Sequence, residues 1–269
     1  MIVNKIAQYK AIHTKSTGET LRHQISLVQK SIGSRNMLYP WLNKKENDAL
    51  LNYEAMFIHH FSMHTKIPKS LLIGHPSQAE LISECQSEHR YLLCNSIPSS
   101  HINQVALCLS NFDELPLEEN SIDMLVLAHC LEQQDNSAKF LSECAKIIAP
   151  EGYMIIFSLK AHSPLHLKHK NNSEVRHWLS AKKTCQWLNK LSYEILSVEN
   201  FLSPCAMQIH HNKALKIADR VISNIMPMLC NAHVIVAKKK TVGLTPIISK
   251  ITERKRITRT IRGIANSSI

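Results

Sequence analysis

The side chains best able to do chemistry in this chain gather at Ala128-His129-Cys130-Leu131-Glu132. An imidazole titrates near neutrality, so His129 can exchange a proton with a substrate or line a pocket. His129 directly follows Ile122, Met124, Leu125, Val126, Leu127 and Ala128, a nearly unbroken apolar run expected of a parallel strand buried on both faces. The carboxyl ends of such strands are where open α/β sheets bind ligands. Other histidines raise the question of a metal. His60 and His64 stand four apart on a helical pattern, but no Glu or third ligand follows at a zinc-like spacing, and a half-buried helix face explains them. His162, His166 and His169 lack nearby carboxylates and cysteines, so residues 160–171 read as a solvated loop whose basicity suits an acidic substrate. The eight cysteines contain no C-x-x-C pair and lie mostly in apolar segments, as reduced structural thiols do.

The elements that must hold His129 are readable on both sides of it. Asp135, Asn136 and Ser137 offer capping oxygens for a helix whose apolar positions include Phe140, Leu141, Cys144 and Ile148, and Pro150 with Gly152 stops it. Residues 153–159 form the next strand, so residues 111–159 make a βαβ unit and imply an open α/β sheet. Upstream, residues 70–74, 90–96 and 105–109 are strand candidates. Gly74 is the pivot of a strand-to-helix turn in which Ser77 is the expected N-cap of a helix through Glu84. Residues 46–64 carry Leu50, Leu51, Tyr53, Met56, Phe57, His60 and Phe61 at helical spacing, predicting a helix that covers the sheet. Downstream, residues 175–191 read as a helix with Trp178, Leu179, Cys185 and Leu188 inward. Residues 193–200 and 232–237 are two final strands around a helical insertion at 203–231.

With 269 residues and 44% of them hydrophobic, the chain can bury a substantial core in one domain. The expected organisation is an extension over 1–45, a main domain over 46–240 and a tail over 241–269. No run approaches the roughly 18 apolar residues a membrane helix needs, and a cytoplasmic protein is expected. The net charge of +11 concentrates late: residues 238–269 hold nine of the 32 Lys and Arg and one of the 21 acids. Ile257, Ile261 and Ile264 fall at helical spacing among those basic residues. The tail is thus either a solvated terminus or a basic amphipathic helix that touches nucleic acid or an anionic membrane.

Leu115-Pro116, Ile122-Asp123, His129 to Glu132 and Pro150-Glu151-Gly152 recur in the order found in class I S-adenosylmethionine-dependent methyltransferases. The chain resembles the small-molecule "type 11" branch of that family, and an ending like AKKKTVGLTPI is similar to a bacterial subgroup. The resemblance implies a Rossmann-like class I fold, with a seven-stranded, mostly parallel sheet, helices on both faces and an antiparallel final pair. It implies S-adenosylmethionine as cofactor and a small-molecule methyl acceptor, with residues 160–171 and 203–231 over the substrate site.

The same resemblance brings Gly74, His75, Asn95, Asn111, Phe112 and His129 to the cofactor. In the family, the turn after the first strand is glycine-rich because backbone approaches the cofactor closely; here Pro76 and Gln78 stand where further glycines are expected, and Leu72 where an acid is frequent. Asn95 stands near the family's ribose-binding carboxylate, and an uncharged amide makes a hydrogen bond about half as strong. Asn111 either reads the adenine amino group or caps a turn, and Phe112 either packs on that ring or belongs to the core. Three functions follow: a methyltransferase, a methyltransferase-like binding or scaffold protein that has lost the cofactor, and a nucleic-acid-associated protein using its tail.

Overall fold

The computed structural model describes residues 48–95, 104–110, 112, 115–169, 178–201 and 229–240. The N-terminal extension, Asn111, most of the 203–231 insertion and the basic tail lie outside the described residues. The elements run α1 (Asp48–Met63), β1 (Lys69–Ile73), a 3₁₀ turn (Pro76–Gln78), α2 (Ala79–Ser83), β2 (His89–Cys94), β3 (Ala106–Leu109) and β4 (Ile122–Ala128). A second 3₁₀ turn (Leu131–Gln133), α3 (Ser137–Ile147), β5 (Ile148–Leu159), α4 (Pro164–His169), α5 (Ala181–Lys190), β6 (Tyr193–Phe201) and β7 (Ala232–Lys239) follow.

The strands form one seven-stranded sheet in the order β3-β2-β1-β4-β5-β7-β6. β1 to β5 pair in parallel, and β7 enters antiparallel between β5 and β6. The expected mixed sheet with an antiparallel end is therefore observed. Strand order reverses between β1 and β4, so the crevice favoured for ligands opens above the carboxyl ends of those two strands.

Alternation along the strands divides the core. Met124, Val126, Ile155 and Phe157 face Leu50, Phe57 and Phe61 of α1, whereas Leu125, Leu127 and Ile156 face Phe140, Leu141 and Cys144 of α3. Helices thus cover both faces. The lone half-exposed position in β4, Asp123, accepts the Lys69 N–H at 2.9 Å and aligns the starts of β1 and β4.

The α3 to β5 junction shows how sequence sets geometry. Asn136 Oδ1 accepts the Lys139 N–H and caps the start of α3, and the chain turns at its end with Glu151 at φ 63°. A Cβ on Gly152 would stand 2.8 Å from Ala149 O and 2.9 Å from Asp123 O, both backbone atoms, so only glycine fits this close approach. Lys239 Nζ reaches back from β7 to donate to Ala145 O at 3.0 Å and Ile148 O at 2.6 Å, satisfying carbonyls at the end of α3.

Three local expectations are corrected. His75, not Ser77, is the N-cap after β1: its Nδ1 accepts the Ser77 N–H. The helix expected over 175–191 begins only at Ala181, because Leu179 is drawn into a strand-like bridge with Lys160. Residues 160–171 are not simply a solvated loop, since they include α4, with Ser163 and Leu165 buried. No described helix is long and apolar enough to cross a membrane.

Candidate functional site

At the carboxyl end of β1 the turn closes on itself. The Gly74 N–H donates to Leu93 O, the His75 N–H to Gln78 Oε1 at 3.0 Å, and the Gln78 N–H to His75 O. Gln78 is 1% exposed, and its Oε1 lies 2.6 Å from where a Gly74 Cβ would be. The side chain at an expected glycine position therefore folds back over the one glycine that remains. Gly74 is needed for that close contact and not for a left-handed backbone. Gln78 Nε2 is left buried and without a hydrogen-bond partner among the described residues. His75 serves as the cap, with its pKa lowered to about 4 by burial.

The next strand ends in Asn95, which is 9% exposed and whose Oδ1 is a buried acceptor without a partner. Phe112 belongs to the core on the α3 side, its ring centroid 5.9 Å from that of Phe140, in place of the ligand-stacking role. Asn111 lies outside the described residues.

His129 leaves β4 with φ 53°, a left-handed conformation, and its N–H continues the ladder to Phe157 O. Its ring joins elements distant in sequence: Nε2 is 2.7 Å from Glu54 Oε1 on α1, and Nδ1 is 3.4 Å from Glu132 Oε1. All three side chains are fully buried. Burial is the largest influence on His129 and favours the neutral ring, but the Glu54 charge, the hydrogen bonds to both carboxylates and the Glu132 charge outweigh it, raising its pKa to about 10. The two carboxyl groups therefore favour the protonated ring, and the His129–Glu54 contact ties α1 to the sheet edge.

Glu132 Oε1 also accepts the Leu159 N–H at 2.6 Å, which ties the turn after β4 to the end of β5. Beside it, His233 at the start of β7 is 0% exposed, and neither ring nitrogen has a partner among the described residues. Burial, opposed by Glu132 and reinforced by Lys160 and His129, lowers its pKa to about 4 and leaves it neutral.

Most buried side-chain polar atoms that lack a partner among the described residues line this carboxyl edge. On the β1–β2 half they are Asn95 Oδ1 and Gln78 Nε2; on the β4–β5–β7 half they include Glu54 Oε2, Glu132 Oε2, Ser158 Oγ and both nitrogens of His233. Buried polar groups are ordinarily satisfied, and each unsatisfied one costs about 1–3 kcal/mol. They are spread along the carboxyl edge from β2 to β7, on both sides of the switch point, and supply both donors and acceptors. Of the residues expected at the cofactor, Gly74, His75, Asn95 and His129 come to this edge, and Phe112 turns to the core.

Glu54 and His233 are the residues that sequence reasoning missed. The signal for Glu54 was an acid on the same helical stripe as Leu50, Phe57 and Phe61; that for His233 was a histidine inside the apolar run of β7. Both are exceptions to a hydrophobic period, where a charge or imidazole must find a buried partner. The helix pair considered for a metal is engaged locally, with the His64 ring nitrogen 2.9 Å from His60 O.

Comparison with known proteins agrees with the topology. A family profile described as a methyltransferase domain matches residues 89–156, which run from β2 into β5. A SAM-dependent methyltransferase from Archaeoglobus fulgidus superposes with a TM-score of 0.54 at 18% identity, covering 75% of this chain and 99% of that one. One from Thermotoga maritima gives a TM-score of 0.51 at 14% identity, covering 76% and 98%. Both likenesses are likenesses of fold. The uncharacterized protein YafS of Escherichia coli strain K12 is 23% identical over 137 residues, 49% of this chain and 54% of that protein. The chain thus spans about half the length of the curated relative it matches.

Proposed function

We infer that this chain, whose fold is similar to that of S-adenosylmethionine-dependent methyltransferases, binds S-adenosylmethionine and methylates a small-molecule acceptor. The observation that carries the reading is the pair of buried, unpartnered polar atoms, Gln78 Nε2 and Asn95 Oδ1, at the carboxyl ends of β1 and β2 beside the switch point. Asn95 Oδ1, at the end of β2, is an open acceptor suited to a ribose hydroxyl. Gln78 Nε2 is an open donor suited to a carboxylate, and it stands in for the backbone N–H groups that the turn has spent on itself. The cofactor supplies an electrophilic methyl group. The chain supplies orientation and exclusion of water, with α1 held over the site by Glu54 and His129.

Calorimetric titration with S-adenosylmethionine and S-adenosylhomocysteine tests this directly. Binding is expected, weakened about tenfold in Asn95→Ala, the loss of one hydrogen bond of about 1–1.5 kcal/mol. Neither heat nor thermal stabilisation at millimolar ligand would sink the reading. A second reading, a binding protein that has lost the cofactor, is favoured by Gln78 filling the space above Gly74. On that reading the wild type binds neither compound, and Gln78→Gly, which reopens the turn, creates binding.

A further inference from the structure

Helix α1 buries one face and exposes another rich in sulfur and imidazole. Leu50, Glu54, Phe57, Ile58 and Phe61 are turned into the core, while Met56 and Met63 are 38% and 58% exposed and His59 and His60 between them are half-buried. Two of the four large hydrophobic side chains exposed among the described residues are thus methionines that flank a histidine pair. Residues three and four apart on a helix are surface neighbours, so Met56 stands beside both His59 and His60, and so does Met63. The four side chains make a diamond with the imidazoles at its centre and the thioethers at its ends. The ring centroids of His59 and His60 are 6.0 Å apart, and His60 interacts electrostatically with His59 and His64.

His59 is already oriented as a metal ligand. Its Nδ1 lies 3.0 Å from Glu84 O, and a carbonyl oxygen only accepts, so Nδ1 carries the proton and Nε2 keeps the lone pair. Metal-ligating histidines ordinarily donate their second N–H to a carbonyl or carboxylate in this way. His64 makes the same kind of bond to His60 O at 2.9 Å and leaves its own Nε2 as an acceptor at the edge of the stripe. The donor set then selects the ion. No set of three or more His, Cys, Asp and Glu among the described residues has the arrangement of a metal site, so a divalent ion that needs nitrogen and oxygen finds too few ligands. Thioether sulfur is soft and uncharged, and it suits copper(I) where it adds little for zinc, calcium or magnesium.

We propose that the outward face of α1 binds a soft monovalent metal ion, copper(I), through Met56 Sδ, Met63 Sδ and ring nitrogens of His59 and His60. The exposed thioethers, on flexible unbranched side chains, close on the ion without moving the helix. Glu54 lies on the opposite face of α1, toward the sheet, so this site is independent of the methyltransferase reading and either fails without the other.

The test uses the full chain with isotope-labelled methionine methyl groups, and copper(I) kept reduced by ascorbate under argon, with zinc(II) as control. One equivalent of copper(I) is expected to shift the NMR signals of the Met56 and Met63 methyls, assigned from Met56→Leu and Met63→Leu, while equimolar zinc(II) leaves them in place. The double variant, altered only at exposed positions, should bind copper(I) at least tenfold more weakly in competition with a chromophoric copper(I) chelator. If the double variant fails to fold, the methyl shifts of the wild type decide alone. Cysteine thiolates also take copper(I). Uptake that leaves both methyl signals unmoved, or that is equal in wild type and double variant, would assign the metal to thiols and overturn the proposal. Absence of uptake, or equal shifts with zinc(II), would overturn it as well.

Discussion

Replacing Glu54 by Gln should reveal how much of the fold's stability depends on charge at the sheet edge. Gln keeps the shape and an acceptor oxygen opposite His129 Nε2, so the substitution removes charge and little else. Breaking a fully buried ion pair costs about 3–5 kcal/mol, and retaining one neutral hydrogen bond returns about 1, leaving an expected loss of about 2–4 kcal/mol below neutral pH. The pH dependence is the sharper expectation. His129 has its pKa raised from 6.5 to about 10, so the folded protein binds a proton that the unfolded chain releases. The stability from this pairing is fully present below pH 6.5 and is lost as pH rises toward 10, by about 1.4 kcal/mol per pH unit.

In Glu54→Gln, His129 keeps only the longer contact to Glu132, so its pKa falls and the alkaline loss occurs at lower pH. The difference between wild type and variant should therefore shrink from the variant's lowered His129 pKa up to the wild-type value of about 10. Urea unfolding at four pH values across that window measures it. The titration of the His129 ring, followed by NMR, should move down in the variant. A difference that stays constant across the window would refute the argument, since it would mean that Glu54 contributes packing and not charge.

Other perturbations separate the remaining devices. His233 and His75 have pKa values lowered to about 4, so their contributions are present above pH 6.5 and are lost as pH falls; His233→Gln should flatten the acid limb of the stability curve measured by urea unfolding. Lys239→Met removes the donor to Ile148 O and one of the two donors to Ala145 O, which keeps the Tyr193 hydroxyl, and should cost about 1–2 kcal/mol in the same assay, with no change in S-adenosylhomocysteine affinity. Gly152→Ala should destabilise by about 2 kcal/mol or more, because two of its three clashing atoms are backbone oxygens that cannot step aside; an unchanged melting temperature would contradict the turn geometry.

The sheet was legible because its strands are apolar runs of the right length, bounded by polar turns. The βαβ unit of residues 111–159 carries its own caps, and β4 and α3 appear where they were expected. The site was less legible because its chemistry lies in exceptions. His129 was visible in position, but its charge state depends on Glu54, which is 75 residues away and whose pairing no local pattern announces. The Gln78 substitution was visible as a missing glycine. Its consequence was not, since a side chain that folds back to accept the His75 N–H is a matter of rotamer and space. The late start of α5 is similar: Leu179 has a helical neighbour pattern, but the bridge to Lys160 outweighs it.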